Sequence, residues 1–520
     1  MFKSVVHIGR LTRAARTLAR YDALLQPEQI AALPLPARVA LRILKFGSRS
    51  PAGDQQGRLA AAMTALGPSY IKLGQFLATR PDIIGPARAF ELKALQDRLP
   101  PFDQEAAKAI IRSNLGDDAS RFFTTLSESV AAASIAQVHR ATTTEGRDVA
   151  VKVLRPGVER RFAADLESFY FAARLIEKFS AEGRRLRPVG AVKMLEQSML
   201  LELDLRMEAS AIAEMAENTK DDPGFRIPTV DWQRTSRQVL TTGWINGTPI
   251  ADVAALKAKG FNLNALGDTI IQSFLRHAIR DGFFHADMHP GNLFVDDGGN
   301  VVAVDFGITG RLGDKESLFL AEILYGFITR NYLRVSQVHF EAGYVPKDQD
   351  PLAFAQALRS IGEPIMDKSA QDISMARLLT QLFEVTGQFN MAAQPQLLLL
   401  QKTMVVVEGV ARALNPQLNM WTTSEPVVRA WIERKLGPAG QLETTVTGVV
   451  DLVRHLPNLF ASIEKVSALL GGMVESGGLK LDADSVRALA RAQSRNNWLQ
   501  RYALVVAALA LAVIAWKLGR

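Results

Sequence analysis

The chain has 520 residues, 48% of them apolar and 22% charged, a balance typical of globular proteins and unlike that of long disordered chains. It contains no cysteine, which excludes disulfides, thiolate metal sites, iron–sulfur clusters and a cysteine nucleophile, and fits a reducing compartment. A net charge of +8 favours an anionic partner without deciding between nucleotide, phospholipid and nucleic acid.

In chain order, Lys3, His7, Arg10, Arg13, Arg16 and Arg20 recur every three or four residues, so a helix here would carry one basic stripe beside Val6, Leu11 and Leu18. That stripe is expected to face a membrane surface or solvent, and no apolar run or cleavage site makes it a signal peptide. Pro51, Gly53 and Gly57 close this basic region, 1–50, and 51–125 reads as a helical extension. Between Phe122 and Leu154 the pattern changes to short strands, ending in DVAVKVL. Residues 158–220 predict long amphipathic helices, and VLTTGWINGTPI a strand ending in an Asn246-Gly247 turn. Helical sequence then runs to Arg280, followed by two apolar strands, NLFVDD and NVVAVDF, across a DDGGN turn. Beyond Gly313 almost everything reads as helix. The sequence thus divides into a small mixed lobe over 126–245, a large helical lobe over 246–435 and a helical C-terminal region over 436–497. Tyr502 to Trp516 carries no charge; widened to 498–518, the segment approaches the roughly 20 residues that cross a bilayer. Arg491, Arg495 and Arg501 precede it, which is expected to keep the large domain on the cytoplasmic side.

The chemistry concentrates between His285 and Gly307, HADMHPGNLFVDDGGNVVAVDFG. A kinase catalytic loop, H-R-D-x-x-x-x-N, supplies an Asp for the acceptor and an Asn for a metal, and a later D-F-G Asp holds the Mg²⁺ that bridges the phosphates. Asp287 and Asn292 have that spacing, and Asp305-Phe306-Gly307 follows the hairpin. Mg²⁺ takes hard oxygen ligands, which a carboxylate and an amide supply, while a second carboxylate can orient or accept a proton. Asn292 and Asp305 are therefore the metal candidates and Asp287 the catalytic one. Upstream, VAVK ends in Lys152, placed to pair the phosphates of ATP, and Glu208 on a following helix is the candidate to hold it. Two standard kinase parts are missing. No G-x-G occurs anywhere; in its place stands the alanine-rich run Val130, Ala131, Ala132, Ala133, Ser134, Ile135, Ala136, Gln137 and Val138, whose Cβ atoms hold the backbone farther from the phosphates. No A-P-E segment follows D-F-G, so a platform for a protein substrate is absent.

Together these residues resemble the UbiB family of atypical kinase-like proteins, associated with ubiquinone biosynthesis. The most specific match is Lys72-x-Gly74-Gln75 within SYIKLGQFLATRPDIIGP; AAASIAQVH matches the family's alanine-rich loop, Glu202-x-Asp204 its E-x-D motif and HADMHPGN its catalytic loop. Gly243 and Ala211 depart from the family pattern, which favours an acid and an asparagine there. The resemblance implies an α+β, bilobal, mostly helical protein-kinase-like fold with an N-terminal helical extension and a C-terminal transmembrane helix. It implies ATP and Mg²⁺ as cofactors, Lys72 and Gln75 reaching over Glu202 and Asp204 to occlude the cleft, and Glu208 paired with Lys152. The partners implied are membrane lipid, prenyl-quinone precursors and ubiquinone-biosynthesis proteins at the cytoplasmic membrane, with no nucleic acid. An older hydroxylase label on the family would need flavin, haem or non-haem iron; without G-x-G there is no dinucleotide fingerprint, and without cysteine no thiolate for haem. A nucleotide-gated scaffold and a true protein kinase remain the alternatives to an ATPase acting near lipid.

Overall fold

A computed structural model describes residues 2–23, 57–78, 84–93, 99–179, 187–366, 387–391 and 395–436, with the single positions 80, 95 and 385. The chain falls into two units, 1–433 and 434–520, and the sheets, core and sites described below belong to the first. The expected membrane segment, 498–518, lies outside the described residues. Among the described residues no helix is long and apolar enough to cross a membrane.

The small lobe is built on a four-stranded antiparallel sheet of β1 (Phe123–Ala132), β2 (Ala136–Thr143), β3 (Asp148–Leu154) and β5 (Val239–Gly243), in the order β1-β2-β3-β5. Its strands alternate. Val149, Val151 and Val153 are buried on one face, where they pack with Phe123, Val239 and with Ala107 and Ile111 of the helix Gln104–Leu115. With a side-chain period of two, Lys152 and Leu154 must face the other way, toward the large lobe. That covering helix is well bounded: Asp103 accepts a hydrogen bond from the Ala106 amide at 3.2 Å, and Gly116 (φ +85°) ends it.

The large lobe centres on the helix Leu263–Ile279, whose apolar residues join the main core. Two small sheets lie beside it. Strands β4 (Phe225–Arg226), β9 (Val301–Ala303), β8 (Leu293–Asp296) and β6 (Gly247–Pro249) form one, in that spatial order; β7 (Phe283–His285) and β10 (Thr309–Arg311) form the other. The β8–β9 hairpin closes as its sequence predicts, with Asp296 accepting from the Asn300 amide at 2.8 Å and Gly299 at φ +79°. The Asn246-Gly247 pair is different. No hairpin forms there, because β5 and β6 belong to different sheets, so the segment is the crossover between the lobes. Gly247 answers to close packing: a Cβ on it would stand 2.9 Å from the Val295 carbonyl oxygen.

The basic N-terminal segment is helical as expected, and its stripe is divided between protein and solvent. It forms the helix Phe2–Arg20, but the stripe does not simply face lipid or water. His7 stacks on Phe171 at 5.6 Å and Arg10 donates to the Ala164 carbonyl at 2.5 Å, so part of this face packs on the helix Val158–Phe179, with Ala14 and Ala19 buried. The helical period that aligned the cations put His7 and Arg10 on a protein neighbour and left Arg13, Arg16 and Arg20 exposed, a division that charge alone does not make.

Candidate active site

Two features of the backbone set the site. First, Val138 and Leu240 flank Lys152 in the sheet register, so the lysine is fixed from both sides. Second, the Val304 amide donates to the Asn292 carbonyl at 2.9 Å, which brings the residue before Asp305 beside the end of the catalytic loop. Asp305 itself adopts φ +61°, a left-handed conformation that Asp tolerates better than most residues and that turns its carboxylate out of the β9 path.

The result is a chain of charges. Lys152 Nζ donates to Glu208 Oε1 and Oε2 at 2.8 and 2.9 Å and to Asp305 Oδ1 at 3.0 Å. The lysine charge holds the Asp305 carboxyl well below its ordinary range, with a contribution from Lys72. Burial disfavours the Lys152 ammonium, but Asp305 and Glu208 outweigh it and raise its pKa, so it stays charged. Burial pushes Glu208 up to about 7, against the pull of Lys152. Glu208 is 8% exposed, whereas the Asp305 side chain is 48% exposed and opens to the cleft. One carboxylate is a buried anchor; the other has oxygen to spare.

The helix bearing Glu208, Leu205–Asn218, is clamped further along. Arg311 on β10 pairs with Glu214 at 2.5 Å and lies 4.3 Å over the Phe283 ring. At the helix end, Arg280 donates to the Asn218 carbonyl at 2.8 Å and to Asp222 at 2.5 Å, and His277 stands 3.3 Å from the same carboxylate. Burial alone would raise the Asp222 pKa, but His277 and Arg280 hold it well below the usual carboxylate range.

The catalytic loop is held from behind. His285 is buried and, because burial lowers its pKa, neutral: its Nδ1 accepts from the Asp287 amide at 3.1 Å, leaving Nε2 to donate to the Val304 carbonyl at 3.0 Å. Its ring lies 4.5 Å from that of Phe306, which is itself buried. Asn292 donates Nδ2 to the Asp287 carbonyl at 3.0 Å, which leaves its Oδ1 as an acceptor. Thr403, on the helix Pro395–Leu414, donates to the Ala286 carbonyl at 3.0 Å. Sequence reading passes over Thr403, since a lone hydroxyl on a helix 117 residues beyond Ala286 gives no local signal.

A carboxylate and an amide oxygen suit one Mg²⁺ whose remaining ligands come from phosphate and water, and that donor set is what Asn292 and Asp305 offer. Among the described residues no group of three His, Cys, Asp or Glu is arranged to hold a metal alone.

Around this centre the expected motif residues separate. Lys72, on the helix Pro68–Ala78, is 9% exposed and pairs with Glu202 at 2.6 Å. Glu202 ends the helix Pro188–Glu202 and Asp204 caps the next, so E-x-D is the joint between two helices. A carboxylate at a helix C-terminus faces the negative end of the dipole, and Lys72 offsets it. Asp204 is engaged by Arg206, whose Nη2 stands at 2.6 Å and whose hydrogen bonds lower the carboxyl pKa. Gln75 is half-buried, one turn beyond Lys72. Gly74 is explained by packing: a Cβ there would stand 2.7 Å from Leu95 Cδ2.

The alanine-rich run forms the β1–β2 hairpin. Val130 is exposed, Ser134, Ile135, Ala136 and Gln137 are buried, and Ala131, Ala132, Ala133 and Val138 lie around the turn. The Gln137 carboxamide is spent on Phe102, accepting from its amide at 2.8 Å and donating to its carbonyl at 3.2 Å, so only its backbone is left for a nucleotide. Arg155 missed notice in the sequence. It donates from Nε and Nη2 to the Ala133 carbonyl at 3.0 and 2.8 Å and from Nη2 to Pro100 at 2.8 Å, and so pins the loop that glycines leave mobile.

Sheet, clamped helix, catalytic loop and D-F-G hairpin define a protein-kinase-like fold of an atypical class. The chain matches the ABC1 atypical kinase-like domain over residues 94–339 and the UbiB helical domain over 358–419. It is 37% identical to the "Probable protein kinase UbiB" of Marinobacter nauticus, covering 98% of this chain and 94% of that protein, and 40% identical to the protein of that name from Aeromonas hydrophila, covering 78% and 76%. It belongs to the UbiB family of atypical kinase-like proteins, a membership that implies ubiquinone biosynthesis. A Mycobacterium tuberculosis protein solved as a complex with erythromycin shares the fold, with a TM-score of 0.50 at 22% identity over 75% of this chain and 98% of that one.

Proposed function

We propose that this chain is a Mg²⁺-ATP-dependent kinase or ATPase, held at the cytoplasmic membrane, that supports prenyl-quinone biosynthesis by acting on or near a lipid intermediate. The observation that carries this reading is Lys152 Nζ between Glu208 and Asp305, with Asn292 presenting a free amide oxygen beside them. Bound Mg²⁺-ATP would supply the transferable phosphoryl group and the metal charge. Lys152 would orient the phosphates, Asn292 and Asp305 would hold the metal, and the part-exposed Asp287 would orient or take the acceptor's proton. Only six residues, three of them in strand β10, separate Gly307 from the helix Asp314–Ile328, which leaves little platform for a peptide. Lys72, paired with Glu202, also helps to lower the Asp305 carboxyl pKa, so its charge would crowd a bulky acceptor near that carboxylate. Both points favour water or a small acceptor over a protein. With part of the N-terminal stripe packed on the protein, the membrane hold falls mainly to the tail, 498–518.

The test follows full-length protein with ATP and Mg²⁺, measuring released phosphate, protein-bound phosphate and thermal stabilisation by the nucleotide. Asp305→Asn is expected to lose the stabilisation; Asp287→Asn is expected to keep it and lose turnover by about a hundredfold or more. Wild-type protein that binds Mg²⁺-ATP but turns over no faster than Asp287→Asn would make it a nucleotide-gated scaffold instead.

A further inference from the structure

Away from the nucleotide cleft, the N-terminal helix, the start of the Pro68–Ala78 helix and the Val158–Phe179 helix line a half-open cavity of about 320 Å³, bordered by Arg10, Arg13, Leu66, Tyr70, Arg161 and Asp165. Three guanidinium groups face one carboxylate there, a surplus of two positive charges around a small volume. Arg10 and Arg161 are held in place by one bond each, to the carbonyls of Ala164 at 2.5 Å and Leu66 at 2.8 Å, and keep their remaining donors. Arg13 is exposed and makes no hydrogen bond or ion pair among the described residues, so all its donors are available to a ligand. Gly67, at φ +96°, makes room for the group next to it: a Cβ there would stand 2.6 Å from Arg161 Nη2. Tyr70 is buried, and burial together with Asp165 pushes its hydroxyl up to about 12, so it remains a proton donor at working pH.

We propose that this cavity binds a phosphate group, a monoester or a diphosphate, through Arg10, Arg13, Arg161 and the Tyr70 hydroxyl. A phosphate dianion matches the surplus charge, and planar guanidinium forks meet its oxygens in pairs where an ammonium would meet them as a point. A carboxylate would satisfy the forks but leave one positive charge and the phenol donor without an acceptor. The same phosphate chemistry is offered by a free phosphate compound and by the headgroup of an acidic lipid, and the site does not depend on the reading of the nucleotide cleft.

The test uses the full-length protein in neutral detergent or with vesicles. Inorganic pyrophosphate is titrated calorimetrically without Mg²⁺, and co-sedimentation is measured with vesicles of phosphatidylcholine alone and of phosphatidylcholine with phosphatidic acid. Arg13→Gln removes a donor with no structural bond to lose, so its melting temperature is expected to match wild type; Lys152→Met serves to report any binding in the cleft. The expected result is at least tenfold weaker binding in Arg13→Gln, with Lys152→Met like wild type. A loss with pyrophosphate and vesicles alike identifies phosphate itself as sufficient, and a loss only with phosphatidic acid vesicles identifies a lipid headgroup. Equal binding by wild type and Arg13→Gln, or no binding of either probe by wild type, overturns the proposal.

Discussion

Two largely buried lysine–glutamate pairs stand close to one cleft, and they are built differently. Lys152 sits in the middle of a sheet, fixed by strands on both sides, and shares its charge between Glu208 and Asp305. Lys72 sits on a short helix of the extension and meets Glu202 at a helix terminus. The first pair is positioned by backbone hydrogen bonds along a ladder; the second depends on how two helices pack. A lysine that must present its ammonium to a fixed ligand gains from the sheet, whereas one that restrains access can ride on an element able to shift.

The largest effect expected from breaking this contrast is at Lys152. Lys152→Met leaves two carboxylates facing each other without their cation, so Mg²⁺-ATP binding and turnover are expected to vanish, with a stability cost of roughly 3 kcal/mol. The cost should depend on pH. Glu208 already has a raised pKa in the fold, and losing Lys152 raises it further. A carboxyl with a raised folded pKa favours the fold below its unfolded pKa near 4.3 and loses that advantage as pH rises through the folded value. Melting curves of the variant at pH 6 and pH 8 should therefore lie closer to wild type at pH 6, and a constant gap would mean that Glu208 is not the group in question.

A smaller, more selective effect is expected at Lys72. Lys72→Ala removes a helix-borne restraint and no phosphate contact, so ATP affinity should stay within about twofold while self-phosphorylation rises at the expense of phosphate release. Measured with saturating ATP, unchanged partition between the two products would reduce Lys72 to a packing residue. Smallest of all is Gly74→Ala. The added methyl meets the flexible end of Leu95, so a loss of about 1 kcal/mol in denaturant unfolding is expected, together with a partial form of the Lys72→Ala phenotype as the helix is displaced. A stability loss without that phenotype would separate the glycine's packing from the lysine's action.

Much of the candidate active site was legible in the sequence because its parts are local. Asp287 and Asn292 share one loop, Asp305 follows one hairpin, and Lys152 lies within a strand with period-two burial; spacing of that kind survives projection onto one dimension. Lys72 and Glu202 were legible only through resemblance to a family, since 130 residues separate them and neither stands in a pattern with a physical reading of its own. The Asn246-Gly247 pair misled for the same reason in reverse: a dipeptide that favours a hairpin turn sits where the chain must pass from one sheet to another, and pairing partners elsewhere decided its shape.

The sequence by itself determined the α+β alternation, the catalytic loop with its D-F-G hairpin, and the absence of a glycine loop, because each follows from residue type and short-range spacing. Only the tertiary structure decided what those residues touch. It turned part of the basic N-terminal stripe onto the Val158–Phe179 helix, spent Gln137 on Phe102 and Asp204 on Arg206, set Arg155 to hold the alanine-rich loop, and put Thr403 behind the catalytic loop. A buried polar group must find its partner wherever the fold brings one within about 3 Å, and sequence distance places no limit on where that is.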